Sequence, residues 1–315
     1  MRTIWITGAQ GFIGRHLARY ISDESTQVVG LGHGLWHSSD ANKWGVTAWL
    51  NGHVSASNLT HLLGAYGTPS AIYHLAGGSS VGAAVANPHE DFQRTVTTSA
   101  ELLDWLRLHA PDIPLVAVSS AAVYGAGHDG AIAEDAVASP SSPYGTHKLL
   151  MEELCRSYTK TYGMSIILPR LFSVYGSDLR KQLLWDICCK LAYEKALELG
   201  GSGSELRDWT NVNDIAHVLS QLPGRCSHMG GVINIAAGEG VRVIDIATVA
   251  ISAWVNAGRK PPESLHFNGK NRIGDPDSLV ADVTRLTNLG MRCTTPWRRG
   301  IEEYVRWYIS AGNLL

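Results

Sequence analysis

Thr3-Ile-Trp-Ile-Thr-Gly-Ala-Gln-Gly-Phe-Ile-Gly14 is a short apolar run that passes at once into three spaced glycines. Thr3–Thr7 reads as a β-strand, and Ile13, Leu17 and Ile21 then recur every four residues, on one face of a helix. Between strand and helix, Gly8, Gly11 and Gly14 supply a tight turn. Its backbone N–H groups can approach a pyrophosphate at the positive end of the helix. A glycine triplet alone says little; this strand–turn–helix setting makes it point to a dinucleotide.

The alternation continues outward. Val28–Leu31, Ala71–Leu75 and Leu115–Ser119 are further apolar runs separated by helix-patterned stretches, and Ser165–Leu168 and Val232–Ile235 read as two more strands of the same sheet. Strands this uniformly apolar need both faces covered, as in a parallel α/β sheet. The sheet domain therefore spans residues 1–173 and resumes over about 208–238, which leaves 174–207 and 239–315 for a second lobe. Within that lobe Gly200–Ser204 reads as a flexible loop, 258–277 as irregular surface, and 241–257 and 301–309 as helices.

Composition narrows the classes. Of 315 residues 45% are apolar and 17% charged, with 26 basic against 28 acidic side chains, which excludes a disordered chain and the positive field of a non-specific nucleic-acid binder. Five cysteines without a CxxC pair indicate neither a disulfide framework nor a zinc site, and thirteen histidines show no metal spacing. The N-terminal stretch lacks signal-peptide character and no apolar run is long enough to span a bilayer, so a cytoplasmic protein without membrane or metal is expected.

Tyr144-Gly-Thr-His-Lys148 puts a phenol and an ammonium four residues apart on one helical face, behind a helix-starting Pro143. A nearby Lys148 charge is expected to draw the Tyr144 phenol down from about 10 toward working pH. Ser120, in Val118-Ser-Ser-Ala-Ala-Val-Tyr-Gly125, ends a strand at the edge where open α/β sheets bind ligands. Its hydroxyl can hydrogen-bond a reacting oxygen.

Across nearly its whole length the chain resembles the extended short-chain dehydrogenase/reductase family, in its nucleotide-sugar epimerase/dehydratase group. The resemblance rests on TGAQGFIG, HLAG at His74–Gly77, SSAAVYG, YGTHK, PRLFSVYG at Pro169–Gly176, ELRDWTNVND at Glu205–Asp214 and RIGD at Arg272–Asp275. It implies an α/β fold: a Rossmann-type doubly wound parallel sheet with a smaller, discontinuous C-terminal substrate-binding lobe. It makes Tyr144 the acid/base, Lys148 the residue that orients the nicotinamide ribose and tunes Tyr144, and Ser120 the one that positions the sugar oxygen. NAD or NADP would be held by Gly8, Gly11, Phe12, Ile13, Gly14, His33, Leu75, Ala76, Gly77, Tyr144 and Lys148. The nucleotide-sugar would meet Ser79, Ser80, Ser120, Ser173, Arg207, Arg272 and Asp275. Helices around Phe92–Leu108 and Lys148–Tyr162 resemble a pair that builds a four-helix homodimer interface, through Val96, Leu102, Leu103 and Leu106 with Leu149, Leu150, Leu154 and Tyr158.

The departures are as informative as the matches. Dehydratases of the group carry an acidic residue at one or both positions after the catalytic Ser/Thr, where this chain has Ala121 and Ala122, and decarboxylases usually keep a carboxylate there; both reactions are disfavoured. Glu134 or Asp135 is the main alternative source of such a carboxylate. Ser173 and Thr95 replace common asparagines. Gly30-Leu-Gly-His-Gly34 carries no carboxylate for the adenosine ribose, and no arginine that would demand NADP. Transient oxidation at a sugar carbinol, C4, in an epimerase is the leading reading, with a 4-keto-6-deoxysugar reductase second. An idle cofactor-sensing protein would have no need of the full trio. Gly78-Ser-Ser-Val-Gly82 fits the serine-hydrolase elbow but lies inside the HLAG loop, without a marked histidine or acid. Trp36, Trp44 and Trp49 read as one packing cluster and Cys188–Cys189 as core packing.

Overall fold

The computed structural model describes residues 2–225, 231–270 and 276–312. Eight strands form its main sheet: β1 (Arg2–Thr7), β2 (Thr26–Gly32), β3 (Ala48–Asn51), β4 (Ala71–His74), β5 (Leu115–Ala117), β6 (Ser119–Ser120), β7 (Ile166–Leu171) and β8 (Gly231–Ile235). All pair in parallel, in the order β8-β7-β5-β4-β1-β2-β3, with β6 beside the end of β7. This is a Rossmann-type sheet. Its strand order reverses at β1, flanked by β2 and β4, and ligands of open α/β sheets bind beyond the strand ends at such a point.

Burial explains the strands. Ile4, Trp5 and Ile6 are at most 3% exposed, as a central strand covered on both faces requires. Trp5 stacks obliquely on Trp105 at 5.8 Å within a core that includes Val29, Leu31, Leu59, Leu102 and Leu106. Of the main sheet's strands, β3 is the one that escaped the sequence reading. It is four residues long and only partly buried at the sheet edge, so it has neither length nor a clean apolar pattern. Trp36 and Trp49 do pack, at 5.3 Å, whereas Trp44 lies apart against His16 and Arg15.

Two helices matter for the site. Phe12–Ile21 starts at Gly11 and buries Gly14, Leu17, Ala18 and Ile21, with Ile13 at the margin of that face. Pro143–Tyr162 is capped by the Ser142 hydroxyl, which accepts from the Gly145 N–H at 3.2 Å, and stops at Gly163 in the left-handed conformation. Its buried face is Gly145, Lys148, Met151, Glu152 and Cys155. Glu152 is fully buried, takes a two-pronged bond from Arg170 of β7 at 2.9 and 2.7 Å, and accepts the Ser119 hydroxyl of β6 at 2.6 Å. Arg170 also lies over the Tyr124 ring at 4.6 Å, and the Tyr124 hydroxyl donates to Asn234 of β8 at 2.7 Å.

The chain divides into two compact units: Met1–Gly125, Glu134–Leu171 and Ile215–Ile235 form the first, and Ala126–Ala133, Phe172–Asp214 and Ala236–Leu315 the second. The boundaries differ from those expected near 173 and 208. Ser173–Tyr175 pairs with Trp209–Asn211, and Leu206–Asn211 also pairs with Gly240–Arg242 and Ser278–Ala281, so these residues belong to the second unit's own sheet. Within 258–270 the chain is less irregular than expected, because Leu265–Phe267 pairs in parallel with Leu197–Leu199. In this unit the helices Gln182–Tyr193, Val243–Asn256 and Trp297–Ser310 pack through Trp185, Trp254 and Tyr308.

Removing one partner of a buried ion pair leaves the other charge stranded in a low dielectric. Glu152→Ala is therefore expected to cost about 3–5 kcal/mol, read as a lowered urea midpoint. An unshifted midpoint would refute a structural role for the pair.

Candidate active site

The glycine turn is built by close approach. Gly8 has φ +74°, and a Cβ on it would sit 2.8 Å from the Ala76 nitrogen, which begins the loop after β4. A Cβ on Gly14 would lie 2.3 Å from the Gly8 carbonyl oxygen. No side chain caps the helix at Gly11, so the first-turn amides, at Phe12 and Ile13, face the turn at the positive helix end. Thr7 ties the turn to β4, its hydroxyl bonded to the Ala76 N–H at 3.3 Å and to the His74 ring at 2.7 Å. These residues fit a dinucleotide: the cradle is one that any side chain would fill.

Ser120, Tyr144 and Lys148 converge at the same end of the sheet. A Cβ on Gly145 would lie 2.4 Å from the Ala122 carbonyl oxygen, so the helix bearing Tyr144 starts directly against the strand end bearing Ser120. The Ser120 hydroxyl accepts the Ala122 N–H at 3.2 Å and lies near enough to the Tyr144 phenol to draw its pKa down. Lys148 is 4% exposed and donates to the Val118 carbonyl at 2.9 Å, with its ammonium 3.4 Å from the place of a Gly77 Cβ.

The expected lowering of Tyr144 by Lys148 is not what this arrangement produces. Burial pushes the phenol up, the Ser120 hydrogen bond draws it down, and the Asp91 charge raises it further. Burial also draws Lys148 down to about 8, against the pull of Asp91 and Glu152. A four-residue spacing puts both groups on one helical face, where Lys148 is buried and Tyr144 partly so.

Sequence reading missed Asp91 and His147. Their side chains are 6% and 11% exposed and meet at 2.6 Å. Asp91 Oδ1 occupies the space of a Gly78 Cβ, 1.8 Å from it, so only glycine fits there. Asp91 is thus a carboxylate beside Lys148 and Tyr144. Among polar neighbours such as Glu90, Gln93 and Arg94 nothing marked Asp91 as buried, and nothing local tied it to residue 147. The helical stretch there is interrupted by a wider π-type turn over Gln93–Thr97, and the buried Thr95 hydroxyl accepts the Gly78 N–H at 2.8 Å.

The other expected residues divide between the units. Leu75, Ala76, Gly77, Ser79 and Ser80 follow β4 in the first. Ser80 caps the Val81–Ala86 helix through the Ala83 N–H at 3.3 Å, a structural task rather than that of a nucleophile. His74 is held by Thr7 and, at 3.0 Å, by Ser99, and burial draws it down to about 3, so it stays neutral. Ser173 and Arg207 lie in the second unit on paired strands, Arg207 donating to the Leu206 carbonyl at 2.9 Å. Its neighbour Asp208 is fully buried, accepting the Ala237 and Gly238 N–H groups at 2.9 Å each, so it is no surface partner of Arg207. Arg272 and Asp275 fall outside the described residues.

A parallel sheet with a glycine cradle at its switch point and a Ser–Tyr–Lys set beside it defines a nicotinamide-dinucleotide enzyme. Residues 4–236 match the NAD dependent epimerase/dehydratase family, and the chain belongs to it, with NAD or NADP as cofactor. It is 28% identical over 298 residues, 91% of each chain, to an uncharacterized UDP-glucose epimerase of Bacillus subtilis. It is 25% identical over 330 residues to a probable dTDP-glucose 4,6-dehydratase of Sinorhizobium fredii, covering 98% of this chain and 93% of the other. The UDP-glucuronic acid 4-epimerase of Bacillus cereus, solved with UDP-glucuronic acid and NAD, superposes with a TM-score of 0.85 at 25% identity, over 98% of this chain and 99% of that one.

Lys148 loses its charge as pH rises through about 8. The alkaline limb of kcat/KM, which reports the free enzyme, is expected there. Asp91→Asn removes a charge that holds the Lys148 proton, so it should shift that limb to lower pH. A limb that stays in place would show that Asp91 does not act on Lys148.

Proposed function

We propose that the protein is a nucleotide-sugar epimerase that works by transient oxidation at a sugar carbinol, C4. The observation that carries this is the approach of Ser120 to the Tyr144 phenol beside Lys148, with Ser120 followed at once by two alanines. Tyr144 takes the hydroxyl proton as the carbinol becomes a ketone and gives it back when the ketone is reduced from its other face. Ser120 holds the reacting oxygen, and Lys148 keeps a positive charge beside the ribose and phenol. Bound NAD(P) supplies the acceptor, and then the donor, of the carbon-bound hydride. Gly8, Gly11, Phe12, Ile13, Gly14, Leu75, Ala76 and Gly77 hold it, and Ser173 and Arg207 of the second unit serve the nucleotide-sugar.

Dehydration across C5–C6 needs a further base and acid. Ala121 and Ala122 end in methyl groups. Glu134, a possible substitute, already accepts the Asn234 N–H at 3.0 Å, while its carbonyl takes Arg170 at 3.3 Å. Asp135 is exposed. The epimerases among the relatives support the same reading, although relatives named as dehydratases share the fold. A 4-keto-6-deoxysugar reductase is the second reading, favoured by the missing carboxylate after β2. An exchangeable NADPH would suit that reaction, whereas retained NAD⁺ suits an epimerase.

A cytoplasmic homodimer completes the proposal; no described helix is long and apolar enough to cross a membrane. Its interface needs revision. Leu102, Leu103 and Leu106 are spent in the chain's own core, which leaves Leu108 and, on the second helix, Leu150 and Tyr162 exposed to a partner.

Tyr144→Phe is expected to keep cofactor and sugar-nucleotide binding and to slow turnover at least about a hundredfold, the scale of a positioned acid/base. Near-wild-type turnover would remove Tyr144 from the mechanism. Incubation with UDP-, dTDP-, GDP- and CDP-hexoses plus NAD⁺ should yield no product lighter by one water. Catalytic formation of that 4-keto-6-deoxy product would overturn the epimerase reading. Light scattering at micromolar concentration should give a dimer mass, and a monomer would refute the interface.

A further inference from the structure

The adenosine end of the cradle lies where β2 finishes. A Cβ on Gly32 would be 3.5 Å from the Gly8 nitrogen, so the residue that follows, His33, stands beside the glycine turn. The Gly32–Leu35 segment is held firmly. Its Gly32 carbonyl accepts the Gly52 N–H at 2.8 Å and its Gly34 N–H donates to Asn51 Oδ1 at 3.0 Å. The Gly34 carbonyl accepts the Trp49 indole N–H at 3.0 Å, and the Leu35 carbonyl the Gln10 amide at 3.0 Å.

On this braced segment the His33 ring meets His53, which follows β3, edge to face at 4.5 Å. Arg94 is close enough that its charge acts on His33 as well, and Arg94 itself pairs with Glu90. Desolvation, and after it the neighbouring His53 and Arg94, draw His33 down. Apart from Glu90, which Arg94 engages, carboxylates are absent from the same region. The sequence has no Asp or Glu between Asp40 and Glu90; Asp40 is engaged by Lys43 at 2.8 Å, and Asn51 spends its oxygen on Gly34.

A ribose diol is usually held by a carboxylate at this strand end, and a 2′-phosphate by a cation. Two imidazoles with no unengaged carboxylate beside them favour the phosphate. We infer that His33 and His53 form an anion site that selects NADP(H) over NAD(H) through the 2′-phosphate of the adenosine ribose. The inference rests on the dinucleotide reading of the cradle, and a preference for NADPH would speak for the second, reductase reading of the function.

The sign with pH follows. A phosphate dianion stabilises the imidazolium forms, so binding takes up protons and tightens as pH falls toward the imidazole range. Below about 6 the phosphate itself gains a proton and the gain is lost. Selectivity for NADPH should therefore rise from pH 8.5 to about 6.5 and turn over below about 6.

The test uses the full chain freed of any nucleotide carried through purification. Dissociation constants of NADPH and NADH are read from nicotinamide fluorescence between pH 5.5 and 8.5, with 2′,5′-ADP and 5′-AMP as competitors. NADPH should bind about tenfold or more tightly than NADH near pH 6.5, the scale of one charge-assisted hydrogen bond, and the ratio should narrow toward pH 8.5. His33→Ala and His53→Ala should each weaken NADPH and 2′,5′-ADP more than NADH and 5′-AMP. His33→Asp should reverse the preference. Equal affinities, tighter NADH, or a preference indifferent to pH and to both alanine variants would overturn the inference and leave the dinucleotide reading intact. Failure to bind either dinucleotide would overturn both.

Discussion

The buried carboxylate of Glu152 is the point on which the arrangement of the site depends. It lies one turn beyond Lys148 and two beyond Tyr144, and it joins the helix that carries them to Arg170 of β7 and to the Ser119 hydroxyl of β6. Ser119 is the neighbour of Ser120. One anion therefore sets the distance between the helix that carries Tyr144 and Lys148 and the strand end that carries Ser120. The close approach of Gly145 to the Ala122 carbonyl completes that register from the other end of the turn. A charge so fully removed from water is tolerated because its oxygens are bonded from several sides.

The same enclosure governs the chemistry. Lys148 is buried against the Val118 carbonyl and kept cationic by Asp91 and Glu152, which oppose the desolvation that would neutralise it. Asp91 in turn is engaged by His147 and sits where a Gly78 side chain would be. Lys148 is thus tuned by two carboxylates from different elements. Desolvation first, and then the Asp91 charge, raise the Tyr144 phenol, so it is not drawn down in the way the helical spacing suggested.

Much of this was readable from short windows of sequence. Apolar runs such as Thr3–Thr7 and Val232–Ile235 mark a buried parallel sheet because strands covered on both faces have no polar side. The glycine turn is legible for a similar reason: a strand, three glycines and a helix start fall within twelve residues. The four-residue β3, and the short strands of the second unit, were not. Two- to six-residue strands with mixed burial leave no periodicity, and their pairing depends on residues far along the chain.

The sequence by itself determined the sheet, the cradle and the identity of Ser120, Tyr144 and Lys148, because each depends on neighbours within a turn or a strand. Tertiary structure alone decided the rest. It brought Asp91 to His147 across 56 residues, Ser119 to Glu152 across 33, and His33 to His53 from separate strand ends. It also assigned Ser173–Tyr175 and Leu206–Asn211 to a second sheet. Protonation and pairing are set by which charges lie within a few ångströms and by how little water reaches them. Those quantities exist only once the chain has folded.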